Sequence, residues 1–217
     1  MQKWFWALPV ILLLLGSCKR HEVKQGAITY TIDYELPDSL KTFAAFLPKT
    51  AIIYFKGDST VSIQQAGPDA TTVITHKPTN FMRVLLRSDK AQYAIDYTKA
   101  EQVDILPPTD YTYAPTTETK TILGHKATKY VLTDKTSGVG NEVWFTKDIK
   151  LVPNYVTAVF DTTYGVPLVF TSDQNGMVTR TSVKEIKFEK VPDGVFSTPA
   201  GYKKITPEQF KNMPVGN

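Results

Sequence analysis

The chain holds one cysteine, Cys18, and three histidines, His21, His76 and His125. These are the side chains that could ligate a transition metal or supply a nucleophile and its base. A structural zinc site needs four Cys or His ligands, and the histidines show no metal-ligand spacing. A disulfide within the chain is excluded, because Cys18 has no second thiol to meet. A catalytic thiol needs a base and a fold around it, whereas Cys18 ends an apolar leader. His125 follows Gly124 in an expected turn and His76 closes a strand before Lys77-Pro78, so both read as solvent-exposed rather than as general bases; His21 belongs to the tether. Asp33, Glu35, Glu185 and Glu189 fall on strand positions expected to face water. Glycoside hydrolysis wants two carboxylates about 5–10 Å apart in a cleft, and nothing in the spacing favours it. The sequence also lacks G-x-S-x-G, G-x-x-x-x-G-K-[ST], H-E-x-x-H and C-x-x-C. The expectation is a non-enzymatic protein with no metal and no cofactor; a polar cleft with convergent Asp, Glu or His would be needed for a hydrolase.

The leader accounts for the cysteine. Lys3 supplies a positive start, and Ala7 to Leu15 is an apolar run of nine residues, short for the ~30 Å of a bilayer core. Gly16 and Ser17 are small, as a signal peptidase requires, and Leu15-Gly16-Ser17-Cys18 resembles the lipobox of bacterial lipoproteins. That resemblance implies cleavage before Cys18 and lipid on its sulfur. An ordinary secretory signal with an incidental cysteine, or an uncleaved anchor, are the alternatives. Two or more acyl chains hold a protein stably to a membrane where one does not. Residues 1–17 are thus expected as a signal peptide, 18–25 as a lipidated tether and 26–217 as one domain. Lys19, Arg20 and Lys24 flank the anchor and favour anionic head groups. No Asp follows the cysteine and no acidic run succeeds it; in lipoproteins of the kind the lipobox resembles, such an Asp signals inner-membrane retention and such a run surface export, so the resemblance implies an outer membrane, facing the periplasm.

Removing residues 1–17 leaves 200 residues, a length suited to one domain or at most two. The 25 basic residues are scattered among 21 acidic ones, so no nucleic-acid footprint exists. With 42% hydrophobic and 12% aromatic residues, the chain can bury a core.

The elements follow from periodicity. Ile28, Tyr30, Ile32, Tyr34 and Leu36 alternate with Thr29, Thr31, Asp33 and Glu35, a strand with one wet face. Leu40, Phe43, Ala44 and Leu47 then repeat at helical spacing, with Asp38 or Ser39 as cap, Pro48 as stop and Phe46 widening the face. Lys56-Gly57-Asp58, Gly124-His125 and Asn175-Gly176 read as hairpin turns. "TTVITH", "NFMRVLLRS", "AQYAIDY", "GNEVWFT", "YVTAVF", "VPLVFTS" and "MVTRTSVKEIKFEKV" read as strands. Pro107, Pro108 and Pro115 among threonines predict a long connector near 106–118. Thr206-Pro207-Glu208-Gln209 fits a capping box opening a last short helix. Helices between strands are missing, so the fold class is mainly β: one curved antiparallel sheet or half-open barrel, with one or two short helices as lid.

A small barrel either fills its interior or leaves room for one ligand. Leu40, Phe43, Phe46 and Leu47 are candidates for the mouth, and Tyr97 and Trp144 for the lining. Trp144 and Phe145 are adjacent, so on a strand they face opposite ways.

"ETKTILGHKATKYVL", "NEVWFTKDI", "YGVPLVF" and Phe196-x-x-Pro199-x-Gly201-Tyr202, in that order behind the lipobox leader, resemble the LolA/LolB-like lipoprotein superfamily. The likeness is to an uncharacterised branch, a domain of unknown function, in Gram-negative envelopes. It covers about 118–206; the first half matches mainly in pattern. The resemblance implies a half-open β-barrel with a helical lid over an apolar cavity that accepts acyl chains or lipids. The function expected is therefore a membrane-anchored lipoprotein that binds a hydrophobic small molecule or lipid. The alternative is an envelope scaffold with a filled core, docking an unknown protein partner by a sheet edge or the Pro-rich connector.

Overall fold

The structure, a computed structural model, describes residues 25–106, 110–174 and 176–213. The leader and Cys18 lie outside the described residues. Twelve strands form one curved, unclosed sheet. They are β1 (Gln25–Glu35), β2 (Thr50–Lys56), β3 (Ser59–Ala66), β4 (Asp69–His76), β5 (Phe81–Arg87) and β6 (Gln92–Tyr97), then β7 (Tyr111–Ile122), β8 (His125–Asp134), β9 (Gly140–Thr146), β10 (Val166–Gln174), β11 (Met177–Lys187) and β12 (Lys203–Ile205). Two short helices, α1 (Gln102–Ile105) and α2 (Pro207–Lys211), complete it.

β2 to β6 and β7 to β11 are two runs of antiparallel neighbours, and β1 joins them by pairing with β2 on one side and β11 on the other. The alternation of β1 explains its central place. Ile28, Tyr30 and Ile32 are buried on one face while Asp33 and Glu35 stand in water. The sheet departs from the antiparallel expectation at one edge, where β12 lies parallel to β6. The capping box at Thr206 is present in both halves, with Gln209 N–H on the Thr206 hydroxyl and Thr206 N–H on Gln209 Oε1.

Three expectations are corrected. Pro107 and Pro108 of the expected 106–118 connector lie outside the described residues, and from Tyr111 on it is strand: β7 runs through Pro115 to Ile122, with a register shift between Pro115 and Thr119. β7 is an edge strand, and an edge tolerates a residue that cannot donate to a ladder. "YVTAVF" is not a strand. Residues 147–165 form turns that lie on the buried face, pinned by buried Asn154, whose Nδ2 donates to Thr157 Oγ1 at 2.7 Å and whose Oδ1 accepts from Thr157 N at 3.2 Å. Finally, Asp38–Phe46 is a 3-10 stretch, not an α-helix, and no side chain caps it; Asp38 pairs with Lys41 at 2.6 Å instead. None of its residues is buried. Propensity alone does not sustain a nine-residue helix without a packed face.

The inner face carries the main core. Tyr30, Phe145, Phe170 and Leu168 pack against Phe160 of the 147–165 segment, whose ring lies 5.7 Å from Phe145 and 5.0 Å from Phe170. A second inner cluster, Val73, Met82, Val84, Ile95 and Tyr97, lies on β4 to β6 and meets Ile205 and Tyr155. On the outer face of the same strands, Val61, Ile74, Leu85 and Ala94 are covered by Val195, Phe196 and Tyr202. The closing motif thus works as a strap under the back of the sheet.

That strap is tied by charge. Arg83 faces Asp96 across β5 and β6, donates to Asp96 Oδ2 at 2.8 Å, and reaches Thr198 Oγ1 at 2.8 Å. Lys204 of β12 meets the same carboxylate at 2.8 Å. The Arg83 hydrogen bond, with Lys204 adding to it and partial burial opposing, holds the Asp96 carboxyl down at about 2. Folding therefore favours the ionised carboxylate, and this stability is present above the ordinary pKa of 3.8 and lost as pH falls toward about 2. With solvent screening the contribution is on the order of 1 kcal/mol. Asp96→Asn should be less stable at neutral pH and show a flatter loss of stability between pH 4 and 2 in acid-unfolding curves. A wild-type curve parallel to the variant's would remove this account.

Candidate functional site

Antiparallel pairing decides which loops share a rim. The upper rim gathers the 36–49 connection, the β3–β4 turn and the β5–β6 turn; the lower rim gathers the start of β1, the β2–β3 turn, the β7–β8 turn and residues 147–165. Each rim opens onto the inner face.

The upper cavity has a volume of about 340 Å³ and lies above the β3 to β6 strands. Its floor includes Gln64, Thr71, Leu86 and Tyr93, which share the inner face by register. Phe46 overhangs it while remaining 68% exposed. Phe43, on the same stretch, is 56% exposed. Large aromatic side chains held in water at the mouth of a cavity are poised to be covered.

The lower cavity is larger, about 570 Å³. Phe55, Ile149, Leu151, Val152 and Val166 supply its apolar wall, and Lys147 and Asp58 stand among its polar residues. A smaller cavity of about 220 Å³, with Tyr130, Phe145 and Tyr164 in its wall, shares Lys147 with it. Both larger volumes fall within the ~300–1,000 Å³ typical of ligand sites.

Between the two inner clusters runs a polar stripe. Thr60, Ser62 and Gln64 of β3 face inward beside Thr71 and Thr75 of β4. The Thr60 and Thr75 hydroxyls bond at 2.7 Å, whereas buried Ser62 Oγ has no hydrogen-bond partner among the described residues. An orphaned buried hydroxyl costs about 1–3 kcal/mol.

Of the residues singled out from sequence, Phe46 lines the upper cavity, and Leu40 and Phe43 sit exposed on the same stretch. Leu47 is half-buried behind them. Tyr97 is buried at the lower end of the second cluster. Trp144 faces away from the inner surface, opposite to Phe145, with the Lys120 ammonium 3.9 Å over its ring. The structure therefore does not bring Tyr97 or Trp144 to Phe46. His125 is half-buried rather than exposed, its ring 5.9 Å from Phe188 and its Nδ1 4.0 Å from Asp148; His76 bonds Thr79 at 2.9 Å. Among the described residues no group of three or more His, Cys, Asp or Glu could hold a metal ion, and no helix is long and apolar enough to cross a membrane. The lower cavity and Ser62 lie outside the expectations from sequence. Ile149, Leu151 and Val152 beside Lys147 and Lys150 are the cavity's one visible signal, and Ser62 has none.

No family model matches the chain, and no curated protein matches its sequence. A solved structure of PNGF-II superposes with a TM-score of 0.52 at 17% identity, over 86% of this chain and 32% of that one. The likeness is one of fold. This chain spans about a third of PNGF-II's length. LprF from Mycobacterium bovis aligns over 83% of this chain and 92% of its own at 11% identity. Its TM-score of 0.31 carries no argument.

Proposed function

We propose that the protein is a non-enzymatic envelope lipoprotein, anchored through Cys18 in the outer membrane and facing the periplasm, that takes an acyl chain or lipid onto the inner face of its half-barrel. The observation that carries this reading is Phe46, exposed yet overhanging a cavity, on a connection with no buried residue. The lipobox leader and the LolA/LolB-like order of motifs support it from sequence.

Covering a phenylalanine side chain is worth about 1.5–3 kcal/mol, or roughly tenfold or more in affinity. Phe43→Asp with Phe46→Asp should therefore weaken uptake of a fluorescent fatty acid by about tenfold or more while leaving the β-sheet circular dichroism intact. Unchanged uptake would remove the upper cavity as the site. Native mass spectrometry of gently purified protein should show a lipid-sized added mass, and a bare polypeptide would argue against a bound lipid. Incorporation of labelled palmitate in cells tests the anchor separately. The scaffold alternative would use a sheet edge, β7 or β12, and on β7 Pro115 and the adjacent register shift interrupt the ladder it could offer.

A further inference from the structure

The β7–β8 hairpin turns through Leu123 and Gly124, and both have positive φ, +47° and +82°. Such a turn favours Asn-Gly, and a leucine there is strained because its Cβ crowds the following carbonyl. Leu123 is nonetheless 51% exposed at the tip. The strain does nothing for the core, so the residue has another use.

Its surroundings suggest which. His125, two residues on, packs on Phe188, which is 42% exposed, and Phe188 packs on Phe55 with rings 6.4 Å apart. Phe55 pairs with Gly26 in β1, and Lys56 with Gln25, the first described residue. The apolar tips thus adjoin the place where the chain arrives from its leader. Lys56 and Lys126 are exposed around them, beside Asp58 and Asp148, while Lys187 pairs with Glu185 at 3.0 Å, and Lys19, Arg20 and Lys24 precede β1 in sequence. Cys18 lies seven positions before Gln25, a reach of about 25 Å at full extension. β1 itself, eleven residues long, separates the rims by about 35 Å. A tether fixed at Cys18 therefore brings the lower rim to the bilayer and keeps the upper rim off it.

We infer that the lower rim is a membrane-docking surface: Leu123 and Phe188 insert at the head-group boundary of a phospholipid bilayer, and Lys56 and Lys126 face its phosphates. The lower cavity then opens toward the lipid, and Phe46 faces away from it. This rests on the lipoprotein reading of Cys18.

The test uses the full chain, isolated from cells fed labelled palmitate and placed in vesicles of phosphatidylethanolamine and phosphatidylglycerol containing spin-labelled lipid. An environment-sensitive fluorophore is attached at Leu123→Cys, Phe188→Cys or, on the opposite rim, Phe43→Cys. Strong quenching at 123 and 188 with little at 43 is the expected result. Palmitate at Cys18 with equal quenching at all three sites would overturn the docking surface while leaving the anchor standing. Quenching at 123 and 188 without palmitate would sustain the surface and remove the anchor. Leu123→Asn should raise the melting temperature by about 2–4 °C through relief of that strain, and should not lose stability. A lower melting temperature would show that Leu123 serves the fold, and would sink the inference.

Discussion

Gly165→Ala is expected to destabilise the protein by about 3–5 kcal/mol, because two separate costs fall on one position. Gly165 closes the 147–165 segment and leads into β10 with φ +114° and ψ −160°, a region that residues with a Cβ essentially do not enter. An added Cβ would also stand 2.2 Å from the Thr146 carbonyl oxygen and 2.8 Å from its carbon. Both are backbone atoms, so no side chain can rotate aside. Either Val166 separates from Thr146, its ladder partner, or the end of β9 shifts, and both changes deform the wall of the lower cavity, since Lys147, Gly165 and Val166 line it. Gly57→Ala is the control. Gly57 has φ +56° and open space where its Cβ would go, so it bears the conformational cost alone, about 1–2 kcal/mol. Urea unfolding of the two variants should separate them by about 2 kcal/mol or more. If they lose the same amount, crowding against Thr146 has no role.

The legibility of this sequence follows one physical divide. Where a strand has one wet face, the pattern repeats every two residues and the register can be read: Ile28, Tyr30 and Ile32 are buried as expected, and Asp33 and Glu35 are exposed. Turns that need positive φ were also visible, at Gly57 and Gly176. The 147–165 segment was illegible for the converse reason. It is irregular, and Ile149, Leu151, Val156, Val159 and Phe160 turn to the core without a period, so "YVTAVF" imitates a strand. The 3-10 stretch misleads differently, since Leu40 and Phe43 keep helical spacing although no residue of Asp38–Phe46 is buried. Their spacing reflects a shared exposed side, which fits the reading of Phe46 as part of a binding surface. β12 could not be read as parallel, because three residues hold too little pattern to fix a direction. The strap before it was seen only as a motif, and its role in covering Val61, Ile74 and Leu85 needed the chain's path.

Tyr30 is the second position where a large loss is expected, and it divides into two measurable parts. The residue is fully buried at the middle of the sheet, paired with Ala51 on β2 and Val183 on β11. Its ring meets Phe170 edge-on at 6.2 Å, and its hydroxyl donates to the buried Pro167 carbonyl at 2.9 Å. Tyr30→Ala removes ring and hydrogen bond together and should cost about 3–5 kcal/mol. Tyr30→Phe keeps the ring but orphans the Pro167 carbonyl, for about 1–3 kcal/mol. Burial also pushes the Tyr30 phenol far above its ordinary value of 10. The native state therefore keeps its proton while the unfolded chain gives it up, so this stability is whole below pH 10 and falls as pH climbs beyond it. Wild type should lose stability more steeply than Tyr30→Phe above pH 10, and the gap between them seen at pH 7 should narrow. Tyr34, Tyr111 and Tyr113 are raised by burial as well and contribute equally to both proteins, so the difference between the two curves isolates residue 30. Parallel curves through pH 11 would mean that water reaches this phenol, and that the junction between the two halves of the sheet is looser than its packing indicates.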